Sequence, residues 1–273
     1  MKPNVLRILL AISLLFNVIG VFFVVDYIHA LGNIRSMKDE RSVMQSMLSV
    51  AQTRNVVNGL DSDEKISRRA FISRFDGFED SFAVQPIALP VHTKAATLFV
   101  YLHGMGHTFL EPFETPKERP LSNEILKKDH SFVVMAPNFR APAGWATDAT
   151  FSDISQNIRE VSEQFPIDKI VIIGSSMGGC VALSYCTLAP KEIKDKLVGV
   201  VSIESAGDLA KLFRITTFAD ARRTMIDAYG GTPDQVAVAY AAKSMMPNLS
   251  AAPGQLRFAI VSARQDKIVP PEM

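Results

Sequence analysis

The sequence predicts an α/β fold: a mostly parallel, doubly wound sheet with helices on both faces. Three observations carry this. Short unbroken apolar runs recur after residue 80, as strands buried on both faces of a parallel sheet require. Segments of helical period separate them. One strand-to-helix junction carries Gly174-Ser175-Ser176-Met177-Gly178, a pattern with chemical meaning only in that context.

The strands and helices follow in order. Phe82–Leu89 reads as an edge or early strand stopped by Pro86 and Pro90. Thr97–Leu102 is a buried strand, Leu121–Lys128 a helix and Phe132–Ala136 the next buried strand. Ser152–Phe165 is an amphipathic helix with Ile154, Ile158 and Val161 on one face, and Ser152 suits its capped start. Lys169–Ile173 is a strand, Gly178–Leu188 an apolar helix, and Leu197–Ile203 and Leu256–Ser262 two further strands.

Composition bounds the rest. The 273 residues, 48% hydrophobic, allow one large domain or two small ones and are too apolar for a disordered chain. A balance of 29 Lys+Arg against 28 Asp+Glu offers no electrostatic footprint for a polyanion, so no nucleic-acid partner is expected. The two cysteines, Cys180 and Cys186, lie six residues apart on one predicted helix and diverge too far for a disulfide.

Between Arg7 and Asp26 the run Ile8–Val25 holds 18 residues without a charge, behind Lys2 and Arg7. Such a helix spans about 27 Å, close to a bilayer core. An uncleaved signal anchor over 1–31 fits this length; a cleaved signal peptide, with a poor site at Ala30, and a buried helix are the alternatives. The first two place the following domain outside the cytoplasm, tethered to the membrane or secreted. Residues 32–60 read as a helical stalk, or as a helix packed on the main domain, and 61–273 as the main domain.

The chemistry gathers at strand ends. A strand that turns sharply into a helix needs glycines on both sides of the apex, and it presents Ser176 where free N–H groups favour negative charge. Ser176 is therefore the candidate nucleophile. His103-Gly104-Met105-Gly106 follows the strand Thr97–Leu102, and its glycines let backbone approach a substrate. Acyl transfer needs two N–H donors for an oxyanion, and the amides of Met177 and Met105 are the candidates. His103 is read as a structural histidine bonding loop backbone. Asp266 follows the last apolar run, where an acid can orient a histidine through Nδ1–H; Glu204 is the fallback acid.

On HGMG, GSSMGG and the strand-end Asp266, the chain resembles the α/β-hydrolase superfamily, in its serine esterase/lipase branch, over about residues 95–273. The resemblance implies a Ser–Asp–His triad acting on a small acyl or ester substrate. A serine at the elbow is unlike the branches that use aspartate there. Pro137-Asn138-Phe139-Arg140 occupies a loop that shapes the pocket in similar proteins, and Trp145 is either a pocket wall that binds substrate or a core residue. Residues 205–255 interrupt the strand–helix rhythm with irregular apolar spacing, as a lid insertion or as ordinary sheet-covering helices. Neither a metal cluster nor a nucleotide loop occurs in the sequence, so no cofactor is expected.

The histidines are 29, 92, 103, 107 and 130, and none follows Asp266, where the family places its base. Three explanations stand: a truncated hydrolase lacking the last strand and helix, a pseudoenzyme with a binding or scaffold role, or a base supplied by His107 or His103.

Overall fold

The computed structural model describes residues 66–86, 88–115, 119–141 and 144–271. The run Ile8–Val25 and the stalk expectation at 32–60 lie outside these residues; among the described residues, no helix is long and apolar enough to cross a membrane.

The described chain builds β1 (Ser67–Ile72), β2 (Glu79–Gln85), β3 (Ala96–Leu102), α1 (Glu111–Glu114), α2 (Leu121–Leu126), β4 (Phe132–Pro137) and α3 (Asp148–Gln164). It continues with β5 (Ile167–Ser175), α4 (Met177–Leu188), α5 (Lys191–Lys194), β6 (Leu197–Ile203), α6 (Leu209–Ile215), α7 (Ala219–Tyr229), α8 (Ala237–Lys243), a 3₁₀ turn (Met246–Ala251) and β7 (Arg257–Val261). The strands form one sheet in the order β1-β2-β4-β3-β5-β6-β7. β1–β2 and β2–β4 pair antiparallel; every other neighbour pair is parallel.

The inner strands β3 to β6 match the apolar runs because they are packed into the core; β7, at the sheet edge, is exposed along its length, where the sequence predicted a covered strand. Leu98, Val100, Ile170, Ile172 and Val200 are buried in one core with Val181, Tyr185 and Cys186 of α4. α4 is apolar on all sides because it lies against both β5 and β6, and eleven of its twelve residues are buried. Its Tyr185 hydroxyl meets Ser155 Oγ of α3 at 2.7 Å, which satisfies two polar groups inside the core. Both cysteines are free and buried, and burial pushes each thiol up to about 12.

Three further expectations change. β2 is the early strand and not an edge; it lies between β1 and β4, starts at Glu79 rather than Phe82, and ends at Gln85, four residues before Leu89. β1 takes the edge, with Arg68 and Arg69 in a strand too charged to read as one. α3 starts at Asp148 rather than Ser152: the Thr147 hydroxyl accepts the N–H of Thr150 at 3.1 Å, and Ser152 falls inside the first two turns.

The loop after β4 does not shape a pocket with Arg140. Phe139 and Arg140 take positive φ, 31° and 67°, and a Cβ on Gly144 would lie 1.7 Å from the Phe139 carbonyl oxygen. This bend sends Arg140 outward to the β1–β2 hairpin. Its Nε donates to Asp153 Oδ2 at 2.7 Å, its two terminal nitrogens to Asp76 at 2.7 and 2.8 Å, and its backbone N–H to Asp80 at 2.8 Å. One guanidinium therefore fastens the hairpin to α3.

Candidate active site

Parallel register brings the candidate loops to one end of the sheet. Leu102 of β3 pairs with Gly174 of β5, Gly174 with Ser202 of β6, and Ser202 with Ile260 of β7. The chain after each strand therefore leaves from the same edge: His103–His107, then Ser176, then Glu204, then the loop holding Asp266. In parallel sheets this carboxyl end is where ligands are bound.

Ser176 sits between β5 and α4 with φ 51° and ψ −117°, a conformation that L residues rarely adopt. Holding it costs about 1–3 kcal/mol. Its N–H donates to the Ile203 carbonyl at 2.8 Å, and its carbonyl accepts the N–H of Cys180 at 3.0 Å. The flanking glycines are required by contact. A Cβ on Gly174 would meet the Gly178 oxygen at 2.2 Å, and one on Gly178 would meet the Leu102 oxygen at 2.1 Å. The turn is thus pressed against itself and against the end of β3, which leaves the serine side chain projecting from the apex. Ser176 remains partly exposed.

The Gly104 loop lies beside it. The point where a Gly104 Cβ would stand is 3.8 Å from Ser176 Cβ and 3.8 Å from His107 Cδ2, so the elbow and the His107 ring flank the same glycine. Among the described residues, the amides of Met105 and Met177 donate to no protein acceptor. Met177 opens α4, where the first N–H groups of a helix have no intrahelical partner.

His103 is fully buried, and its ring nitrogens meet two backbone carbonyls: Nδ1 the Gly104 oxygen at 2.8 Å, Nε2 the Asn138 oxygen at 2.9 Å. Burial lowers its pKa most strongly; the two carbonyls and the Glu111 charge act the other way. Both nitrogens face backbone carbonyls rather than Ser176, in keeping with the structural reading of this histidine. Glu111, which carried no pattern in the sequence, accepts the Gly104 N–H at 3.0 Å. The Tyr101 hydroxyl also faces Glu111, and burial, then that negative charge, hold the phenol protonated far above its ordinary range.

Asp266 is partly buried and caps its own turn: Oδ1 accepts the N–H groups of Ile268 at 2.7 Å and Val269 at 3.0 Å. The turn is tied to the chain after α6, since Thr217 donates its hydroxyl to the Lys267 carbonyl at 2.9 Å. Glu204 is exposed, with φ 49°.

Trp145 belongs to the buried core: it is 2% exposed and donates Nε1–H to Thr224 Oγ1 of α7 at 2.9 Å. The same Thr224 hydroxyl approaches Met105 Sδ at 3.5 Å. In segment 205–255, Leu209, Leu212, Met225 and Tyr240 pack into the core, and Thr224 of α7 touches the Met105 side chain of the Gly104 loop.

A family model described as "alpha/beta hydrolase fold" matches residues 97–244. Comparison with curated proteins found no match. Among solved structures, apo prolyl oligopeptidase B from Galerina marginata is similar with a TM-score of 0.59 and 18% identity, over 78% of this chain and 31% of that one. Acylaminoacyl peptidase from Pyrococcus horikoshii gives a TM-score of 0.58 and 14% identity, over 80% of this chain and 34% of that one. Puromycin hydrolase gives a TM-score of 0.59 and 17% identity, over 78% of this chain and 33% of that one. This chain spans about a third of the length of these proteins, and at such identity the likeness is one of fold.

Proposed function

Because the chain belongs to the α/β-hydrolase fold family, we propose that it is a serine hydrolase acting on a carboxylic ester or related acyl substrate. The observation that carries this reading is the strained Ser176 backbone, enforced by glycines that no side chain could replace. A protein keeps such strain where the exposed side chain has work that an ordinary helix start does not provide.

In this reading Ser176 Oγ attacks the acyl carbon and its proton passes to a histidine base. The carbonyl oxygen becomes an oxyanion between the Met105 and Met177 amides. The base then gives its proton to the leaving alcohol or amine, and water hydrolyses the acyl-enzyme by the same route. Asp266 orients the base through its Nδ1–H. The family's place for that base is beyond the acid; within this chain, His107 is the histidine that shares Gly104 with the elbow.

A fluorophosphonate probe tests the reading, since it needs a nucleophile and an oxyanion hole together. Ser176 should be labelled, and Ser176→Ala should abolish labelling and lower acyl hydrolysis by several orders of magnitude. Labelling of the 273-residue chain that His107→Ala abolishes assigns the base to His107. Labelling only after the chain is extended with downstream residues assigns it there. Absence of labelling in both supports the second reading, a binding or scaffold protein on the same fold. The structural relatives carry peptidase and puromycin-hydrolase names, so p-nitroanilides are assayed beside p-nitrophenyl esters; faster turnover of anilides would move the substrate class to amides.

A further inference from the structure

We propose that Glu111 is a positioning residue of the oxyanion hole, acting through the Gly104 backbone; this rests on the serine-hydrolase reading above. Its carboxylate is 11% exposed and lies against the loop that follows β3. Oε2 accepts the Gly104 N–H at 3.0 Å, and Oε1 faces His107 Nδ1 at 3.9 Å. Tyr101, near the end of β3, is close enough for the Glu111 charge, after burial, to raise the pKa of its phenol. The Glu111 side chain thereby joins α1 to the Gly104 loop.

The consequence is geometric. Glu111 holds the nitrogen of Gly104, while the Gly104 oxygen meets the His107 N–H at 3.1 Å and His103 Nδ1 at 2.8 Å. With both ends of the residue hydrogen-bonded, rotation of the Gly104–Met105 peptide is restrained. A trans peptide points its N–H away from its carbonyl, so the Met105 N–H is held free of the loop's own acceptors. Glycine at 104 cannot fix this plane itself, because its backbone is the most permissive of all residues. A charged acceptor makes a shorter and stronger bond than a neutral one, which suits a clamp on so mobile a position. The charge also carries a penalty, since an anion near a developing oxyanion opposes it. Here the carboxylate is engaged by an N–H, faces a phenol O–H and lies beside an imidazole, which offsets that field.

The test compares Glu111→Ala with Glu111→Gln in the 273-residue chain and in the extended chain, with folding checked by circular dichroism. Glutamine keeps an acceptor oxygen for Gly104. Glu111→Ala should lower kcat for a p-nitrophenyl ester about 10–100-fold with KM within about two-fold, as small misplacements of catalytic groups do. Glu111→Gln should restore most of kcat. A trifluoromethyl ketone, which forms the oxyanion, should lose affinity in parallel with kcat. Unchanged kcat in Glu111→Ala, or a Gln variant as impaired as Ala, would overturn the proposal. Amide hydrogen exchange separates this failure from failure of the serine-hydrolase reading. If neither chain is labelled at Ser176, faster exchange at Gly104 in Glu111→Ala but not in Glu111→Gln, with β5 unchanged, still supports the clamp; unchanged exchange at Gly104 refutes it.

Discussion

Trp145 donates its indole N–H to the Thr224 hydroxyl at 2.9 Å, and that hydroxyl also touches the sulfur of Met105 at 3.5 Å. The contact joins the buried core, α7 and the Gly104 loop at one atom. Thr224→Val keeps the side-chain shape and strands the buried N–H, which costs about 1–3 kcal/mol. Denaturant unfolding should show this loss, and the fluorescence of the single tryptophan should shift in the folded state. Hydrogen exchange should be faster in α6–α8 than in Lys169–Ile173 of β5; equal protection would mean that segment 205–255 is core and no lid.

Gly178 and Gly199 make a matched pair. A Cβ on Gly178 would stand 2.1 Å from the Leu102 oxygen, whereas one on Gly199 would first meet Val171 side-chain carbon at 3.6 Å. Gly178→Ala should destabilise by about 3 kcal/mol or more and abolish probe labelling, because backbone cannot yield as a side chain can. Gly199→Ala should fold and label as the parent does. Thermal melts of the two variants, side by side, decide it.

Arg140 gives a prediction with a pH sign. Removing it leaves Asp153, wholly buried, without its cation. Arg140→Ala should therefore cost about 3–5 kcal/mol. Its hydrogen bond and charge hold Asp76 down at about 2, from an ordinary 3.8. A depressed carboxylate contributes stability above its unfolded value and loses it as pH falls through the folded one, so the Asp76 contribution should vanish between pH 4 and 2. Burial raises Asp80, which has the opposite sign: its contribution grows as pH falls below its raised value. Urea melts from pH 5 to 2 should show a shallower acid loss in Asp76→Asn and a steeper one in Asp80→Asn.

Asp266→Asn distinguishes two roles of one side chain. Asparagine retains an oxygen for the Ile268 and Val269 amides, so the turn should hold. If Asp266 orients the base, hydrolysis by a labelled, active chain should fall roughly 10⁴-fold at unchanged stability. An unchanged rate would reduce Asp266 to a turn cap and move the acid role to Glu204.

Location follows from the uncharged run Ile8–Val25 behind Lys2 and Arg7. We propose that residues 61–273 lie outside the cytoplasm on a membrane tether. A reporter active only in the cytoplasm, fused at the C-terminus, should stay silent, and deletion of residues 1–31 should release the protein from membranes. Strong reporter activity would refute the topology.

β3, β4, β5 and β6 were readable as apolar runs because inner strands are buried, and burial is written residue by residue; β7 was readable from its apolar run although it lies exposed at the sheet edge. The elbow was readable because its constraints are local: Gly174, Ser176 and Gly178 meet within five residues. β1 was not, since an edge strand with Arg68 and Arg69 has no apolar signature. The start of α3 was missed because Thr147 and Ser152 are equally good caps by residue type, and only backbone direction chooses between them. Contacts across long sequence separations needed the fold. Arg140 reaches Asp76 across 64 residues, Trp145 reaches Thr224 across 79, and neither pairing leaves a periodic trace in either segment. Glu111 stands only seven residues from Gly104, yet a carboxylate at a helix start reads as solvated until the chain folds back and closes water out. Sequence thus specifies which strands and which serine are present, through hydrophobicity and local sterics. Which polar groups hold that serine's surroundings in place is decided by close packing between distant segments, where direction and distance, rather than residue type, select the partner.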